Sequence, residues 1–97
     1  MDENNFSEPM VFPIEDTIDL HTFQPREVKD LLHDYLEAAW EKGFREVRII
    51  HGKGTGTLAR LVHKTLDKHP LVQSYSWAPR ERGGWGATMV CLQEDEP

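Results

Sequence analysis

Between residues 25 and 43 the apolar side chains Val28, Leu31, Leu32, Tyr35, Leu36 and Ala39 recur at i, i+3 and i+4. That spacing predicts an amphipathic helix, with Pro25 suited to its first position and Gly43 to the residue just past its end. Leu58, Leu61, Val62, Thr65 and Leu66 repeat the pattern and predict a second helix that stops before Pro70. Shorter runs at Thr17–Leu20, Glu46–Ile50, Leu71–Trp77 and Ala87–Leu92 read as strands, so the order is βαβαββ and the class α/β. The last run is almost continuously apolar, which predicts a strand covered on both faces and central in the sheet. Strands joined through helices should run parallel with right-handed connections, while the polar loop from Pro79 to Gly86 lets the last strand return antiparallel.

Ninety-seven residues suit one domain. Residues 1–16 read as an acidic arm, with Val11, Phe12 and Ile14 able to tack onto the body; residues 17–93 form the domain and 94–97 an acidic tail. A single cysteine, Cys91, excludes an internal disulfide and offers no zinc spacing. The first residues lack a basic and apolar leader, and no apolar run approaches the roughly 18 residues of a membrane span, so a cytoplasmic protein is expected. The formal charge is −6, yet residues 20–93 hold all 11 Lys and Arg against 8 acids. The acidity lies at the two ends, and a polyanionic partner stays open for the body.

The run Arg48-Ile-Ile-His51-Gly52-Lys53-Gly54-Thr55-Gly56-Thr57-Leu58 passes from a strand pattern through three glycines into a helix pattern. Glycines allow close backbone approach, and the helix start contributes unpaired N–H groups and the positive end of its dipole, so the junction suits an anion such as phosphate. Alternating glycines also occur in plain turns; His51, Lys53, Thr55 and Thr57 favour binding. Neither a P-loop nor a dinucleotide fingerprint fits. The four-residue gap before Gly-Lys-Ser/Thr is missing, the third glycine comes one position early, and Tyr75–Pro79 carries no carboxylate for a ribose. No nucleotide cofactor is expected.

In Ile18-Asp19-Leu20-His21 the strand period of two puts Asp19 and His21 on one side. His21 ends the first strand and His51 the second, so parallel pairing brings both to the sheet edge that carries the glycine loop. Two imidazoles beside a phosphate cradle suit acid–base cleavage of a phosphodiester, one taking a proton from the attacking oxygen and one protonating the leaving oxygen. RNA supplies its own attacking hydroxyl, so no cofactor is required; a divalent metal such as Mg²⁺, held through Asp19, His21 and His51, is the lesser alternative. His33, His63 and His69 lack such company and read as surface or boundary residues, and Tyr35 and Trp40 as packing. The loop Pro79-Arg80-Glu81-Arg82-Gly83-Gly84-Trp85-Gly86 combines basic side chains, glycines and an aromatic ring, a set that can hold phosphate and stack a base. A buried loop anchor is the other reading of Trp85.

Three of these segments together resemble the motifs of the small MutS-related, or Smr, family: Ile18-Asp19-Leu20-His21, His51-Gly52-Lys53-Gly54-Thr55-Gly56, and Gly83-Gly84-Trp85-Gly86-Ala87-Thr88. The resemblance runs from Thr17 to Gln93. It implies a two-layer α+β sandwich with a four-stranded mixed sheet, like the C-terminal domain of translation initiation factor three, in which the last strand lies between the second and third. It also implies nicking or cleavage of DNA or RNA, or binding to nucleic acid or the ribosome without cutting, with Asp19, His21, His51, Gly52 and Gly54 at the site. One position departs from the family pattern. The glycine after the first histidine is Thr22 here, followed by Phe23, which restricts close approach of a substrate backbone.

Overall fold

The computed structural model describes residues 14–96; the expected arm at residues 1–13 and the final Pro97 lie outside the described residues. Four strands and two helices follow in the expected order: β1 (Thr17–Asp19), α1 (Pro25–Lys42), β2 (Glu46–Ile50), α2 (Thr57–Lys68), β3 (Val72–Trp77) and β4 (Ala87–Leu92). The strands form one sheet in the order β1-β2-β4-β3. β1 runs parallel to β2, while β4 is antiparallel to both of its neighbours. The apolar last strand is therefore central, but it is not covered on both faces as expected: Thr88, Val90 and Leu92 are buried under the helical layer, while Met89 and Cys91 on the other face are only half-buried.

Each helix is fixed by its own sequence. The backbone N–H of Gln24 donates to Glu27 Oε1 at 3.0 Å, satisfying a group at the start of α1 that the helix itself cannot pair. At the other end the Gly43 N–H donates to the carbonyls of Ala39 and Trp40. Val28, Leu32, Tyr35, Leu36 and Ala39 on α1 and Ala59, Val62 and Leu66 on α2 are buried. All of these except Ala59 meet Val47 and Ile49 of β2 and Val90 and Leu92 of β4 in one cluster. Withdrawing a side chain such as Leu36 from water contributes about 1.5–3 kcal/mol, so this helix-to-sheet layer is the main source of stability.

Three further details differ from the sequence expectation. β1 ends at Asp19, and Leu20 continues the pairing only through its N–H, 2.7 Å from the Ile50 carbonyl. β3 begins at Val72, one residue later than expected, and carries a register shift between Val72 and Ser74. The segment Ile14–Asp16, expected to close the arm, is fastened to the body: Ile14 packs on the core as expected, and beyond that Tyr35 Oη donates to the Glu15 carbonyl and the Arg48 N–H to the Asp16 carbonyl. Tyr35 and Trp40 are packing residues as expected; the indole N–H of Trp40 donates to the Gln93 carbonyl at 2.8 Å.

Candidate functional site

The parallel pair β1 and β2 ends at one edge, with Asp19 opposite Ile50. The chain turns there on the β1 side, and His21 folds back so that its backbone N–H and its Nδ1 both reach Asp19 Oδ1, at 3.0 Å and 2.5 Å. These two hydrogen bonds, the side-chain one first, hold the Asp19 carboxyl below its ordinary range. An ionised carboxylate only accepts, so Nδ1 donates to Asp19 and Nε2 is the ring nitrogen left outside the pair. Both side chains are exposed to solvent.

On the β2 side the backbone enters the glycine loop. Gly52 adopts φ +78°, a conformation that other residues rarely take, and a Cβ there would stand 3.4 Å from the Cβ of His21. The first motif and the glycine loop thus touch. The Gly86 carbonyl accepts both the His51 and Gly52 N–H groups, at 3.0 Å and 2.9 Å, and ties in the third motif. In that motif Gly83 has φ +117°, and a Cβ on it would come within 2.9 Å of Ala87 Cβ, so only glycine fits. The loop ends at Gly56, which has no side chain to cap α2, and the first N–H of the helix, that of Thr57, donates to Thr55 Oγ1 at 3.4 Å. A crevice of about 250 Å³ is lined by His21, Phe23, Pro25 and the whole run from His51 to Leu58.

His51 differs from His21. It is only 3% exposed and both ring nitrogens are engaged, Nδ1 with the Gly52 carbonyl at 3.0 Å and Nε2 with Thr88 Oγ1 at 2.8 Å. Thr88 Oγ1 also lies 2.7 Å from Nε2 of His63. Bonding capacities set the direction of this chain. The Gly52 carbonyl can only accept, so His51 Nδ1 is protonated, its Nε2 accepts from the Thr88 hydroxyl, and that hydroxyl accepts from His63 Nε2. Burial, and then the neighbouring His51, push the His63 pKa below 6.5, while Asp67 opposes them. His63, read from sequence as a boundary residue, is therefore part of this site. Asp19, His21 and His51 do not form a group within metal-holding distance of one another among the described residues, and both nitrogens of His51 are engaged within the fold.

Two further histidines are placed away from this edge. His33, Glu37 and His69 gather at one end of the helical layer, but His69 Nδ1 accepts the Leu71 N–H, so the neutral ring carries its proton on the buried Nε2. That nitrogen is a donor without a partner rather than a ready metal ligand.

The family model of the Smr domain matches residues 18–93. The chain belongs to the Smr family. It is 42% identical over 80 residues to the endonuclease MutS2 of Thermomicrobium roseum and 41% identical over 76 residues to that of Solidesulfovibrio magneticus, which cover 82% and 78% of the chain. The matched part is only 10% of each of those relatives' length. Among solved structures, the Smr domain of Thermus thermophilus MutS2 superposes with a TM-score of 0.77 at 34% identity, covering 79% of this chain and 96% of that one. YdaL, a stand-alone small MutS-related protein from Escherichia coli, gives the same TM-score at 28% identity, covering 88% and 70%. The two-layer fold implied by the Smr motifs is the fold observed.

Within this Smr domain the candidate residues fall into two groups. Asp19, His21, Gly52, Lys53, Gly54, Thr55, Gly56 and Thr57 lie together at the edge, with Gly84 and Trp85 in the loop that meets it. The Thr55 and Thr57 hydroxyls bond each other at 2.9 Å across the helix start. Arg80 and Arg82 stand apart in a short 3₁₀ turn and do not line the crevice beside the loop. That turn is held by Arg48, whose Nη1 donates to the Arg82 carbonyl at 3.1 Å. No helix among the described residues is long and apolar enough to cross a membrane.

Proposed function

We propose that this domain is an endonuclease that cleaves phosphodiesters, of RNA in preference to DNA, by acid–base chemistry at Asp19 and His21 beside the glycine loop. The observation that carries this reading is the exposed Asp19–His21 pair, whose imidazole lines one crevice with the Gly52–Thr57 loop. Asp19 orients the ring and stabilises the imidazolium; His21 Nε2 takes the proton of the attacking 2′-hydroxyl. Lys53 and the loop N–H groups stabilise the charge that develops on the phosphoryl oxygens. The leaving 5′-oxygen takes its proton from water in the open crevice. His51, expected to serve there, instead keeps the loop in shape through its bonds to Gly52 and Thr88. Because the pair supplies the proton transfer, a divalent metal such as Mg²⁺ is not required. Relatives named as endonucleases support the reaction class.

Purified protein incubated with end-labelled RNA and DNA, in EDTA or in Mg²⁺, tests the proposal. Cleavage of RNA that persists in EDTA and stops when a 2′-deoxynucleotide replaces the one at the cut site is expected. Lys53→Ala should weaken binding and reduce the slope of log affinity against log salt by roughly one contact's worth, about 0.7–0.9. A protein that binds RNA, DNA or ribosomes with this loop and cuts neither nucleic acid under any metal condition would instead be a binding module.

A further inference from the structure

Three large apolar side chains are exposed among the described residues, and all three flank the glycine loop: Phe23 at 41%, Trp77 at 48% and Trp85 at 75%. Exposing a large aromatic ring forgoes the stabilisation that burial would bring, so three of them around one backbone segment mark a binding surface. Their arrangement is two-sided. Phe23 lines the crevice that contains His21, whereas Trp77 and Trp85 line a second one of about 480 Å³ together with Ala59. Lys53, Gly54, Thr55 and Gly56 border both, so the loop is the ridge between them.

We infer that the loop holds a phosphate of an unpaired nucleic-acid strand while the bases on either side of that phosphate stack in the two crevices, one against Phe23 and the next against Trp77 and Trp85. This inference rests on the phosphate reading of the loop in the proposed function and adds its substrate class, a single-stranded or locally unpaired segment. Trp77 is braced from behind by two imidazoles, its ring lying edge-on to those of His51 and His63 at centroid distances of 5.8 Å and 4.7 Å. The His63–Thr88–His51 chain that shapes the loop therefore also fixes the aromatic wall beside it. A paired base keeps its faces inside the duplex and cannot enter either crevice without unstacking, which costs a few kcal/mol. Stacking on aromatic rings tolerates any base, so selection would be for strand state rather than sequence.

Equilibrium binding separates this inference from the cleavage proposal. Fluorescence titration of the full chain with a short single-stranded oligonucleotide, with its duplex, and with strands carrying one abasic position should show tryptophan quenching and tighter binding for the intact single strand. Trp77→Leu, Trp85→Leu and Phe23→Leu keep apolar bulk and remove the stacking face; each tryptophan change should weaken single-strand binding roughly 5- to 100-fold, with melting curves confirming the fold. An abasic site and the tryptophan change it faces should be non-additive, because both remove one contact. Equal affinity for duplex and single strand, absence of binding to either, or leucine variants that bind like the parent would overturn the inference. Cleavage assayed beside it reports on the proposed function: tight, tryptophan-dependent binding without cutting would leave this inference standing and remove the enzyme.

Discussion

Thr88, buried in the central strand, has its hydroxyl 2.8 Å from Nε2 of His51 at the start of the glycine loop. The same hydroxyl meets His63 of α2, so strand, loop and helix share one oxygen. Thr88→Val conserves shape and deletes both bonds. Each imidazole nitrogen left without a partner costs about 1–3 kcal/mol, and urea denaturation should show a loss of at least that size. A valine variant as stable as the parent would mean that the two rings find other partners.

Gly52 tests how closely the first motif and the loop depend on each other. An alanine there must hold a left-handed backbone, at a cost of about 1–2 kcal/mol, and must place its Cβ against His21. Gly52→Ala should therefore lower cleavage far more than the stability loss alone explains. Activity reduced only by the unfolded fraction, measured by circular dichroism at the assay temperature, would contradict this.

Stability should also depend on pH through the interior histidines. Burial, followed by a neighbouring imidazole, lowers the pKa of both His63 and His69. A histidine whose folded pKa is depressed binds more protons when unfolded. The stabilisation is complete above the unfolded value of about 6.5 and is lost as pH falls through that value toward the lower folded pKa. Urea midpoints should hold steady above pH 7.5 and fall between pH 7 and 5, and a His63→Gln, His69→Gln double variant should flatten that decline.

Much of this was legible from local pattern. Helical spacing from Val28 to Ala39 and the apolar run of β4 pointed to the layers and the central strand; Asp19 and His21 do meet, but through the turn that follows β1, where the His21 N–H donates to Asp19 Oδ1, and not through strand alternation. His51 was harder to read, because a polar ring next to a glycine loop suggests exposure while its burial depends on Thr88, 37 residues away. His63 was missed for the same reason. A signal did exist: His63 follows Ala59 by four positions and precedes Leu66 by three, at the border of the buried face of α2, and Thr88 alternates with buried Val90 and Leu92. The aromatic flanks were only half visible. Trp85 announces itself among glycines, but Trp77 reads as an ordinary strand residue until β3 is placed beside the loop.

The acid–base role of His21 is tested most directly by single-turnover cleavage of a labelled RNA by His21→Ala, with affinity measured on the same substrate. Loss of a positioned general base should slow cleavage by about 10²- to 10⁴-fold, with affinity and thermal midpoint nearly unchanged. Asp19→Asn should fall in the same direction. A His21→Ala protein that cuts at the parent rate would contradict the assignment.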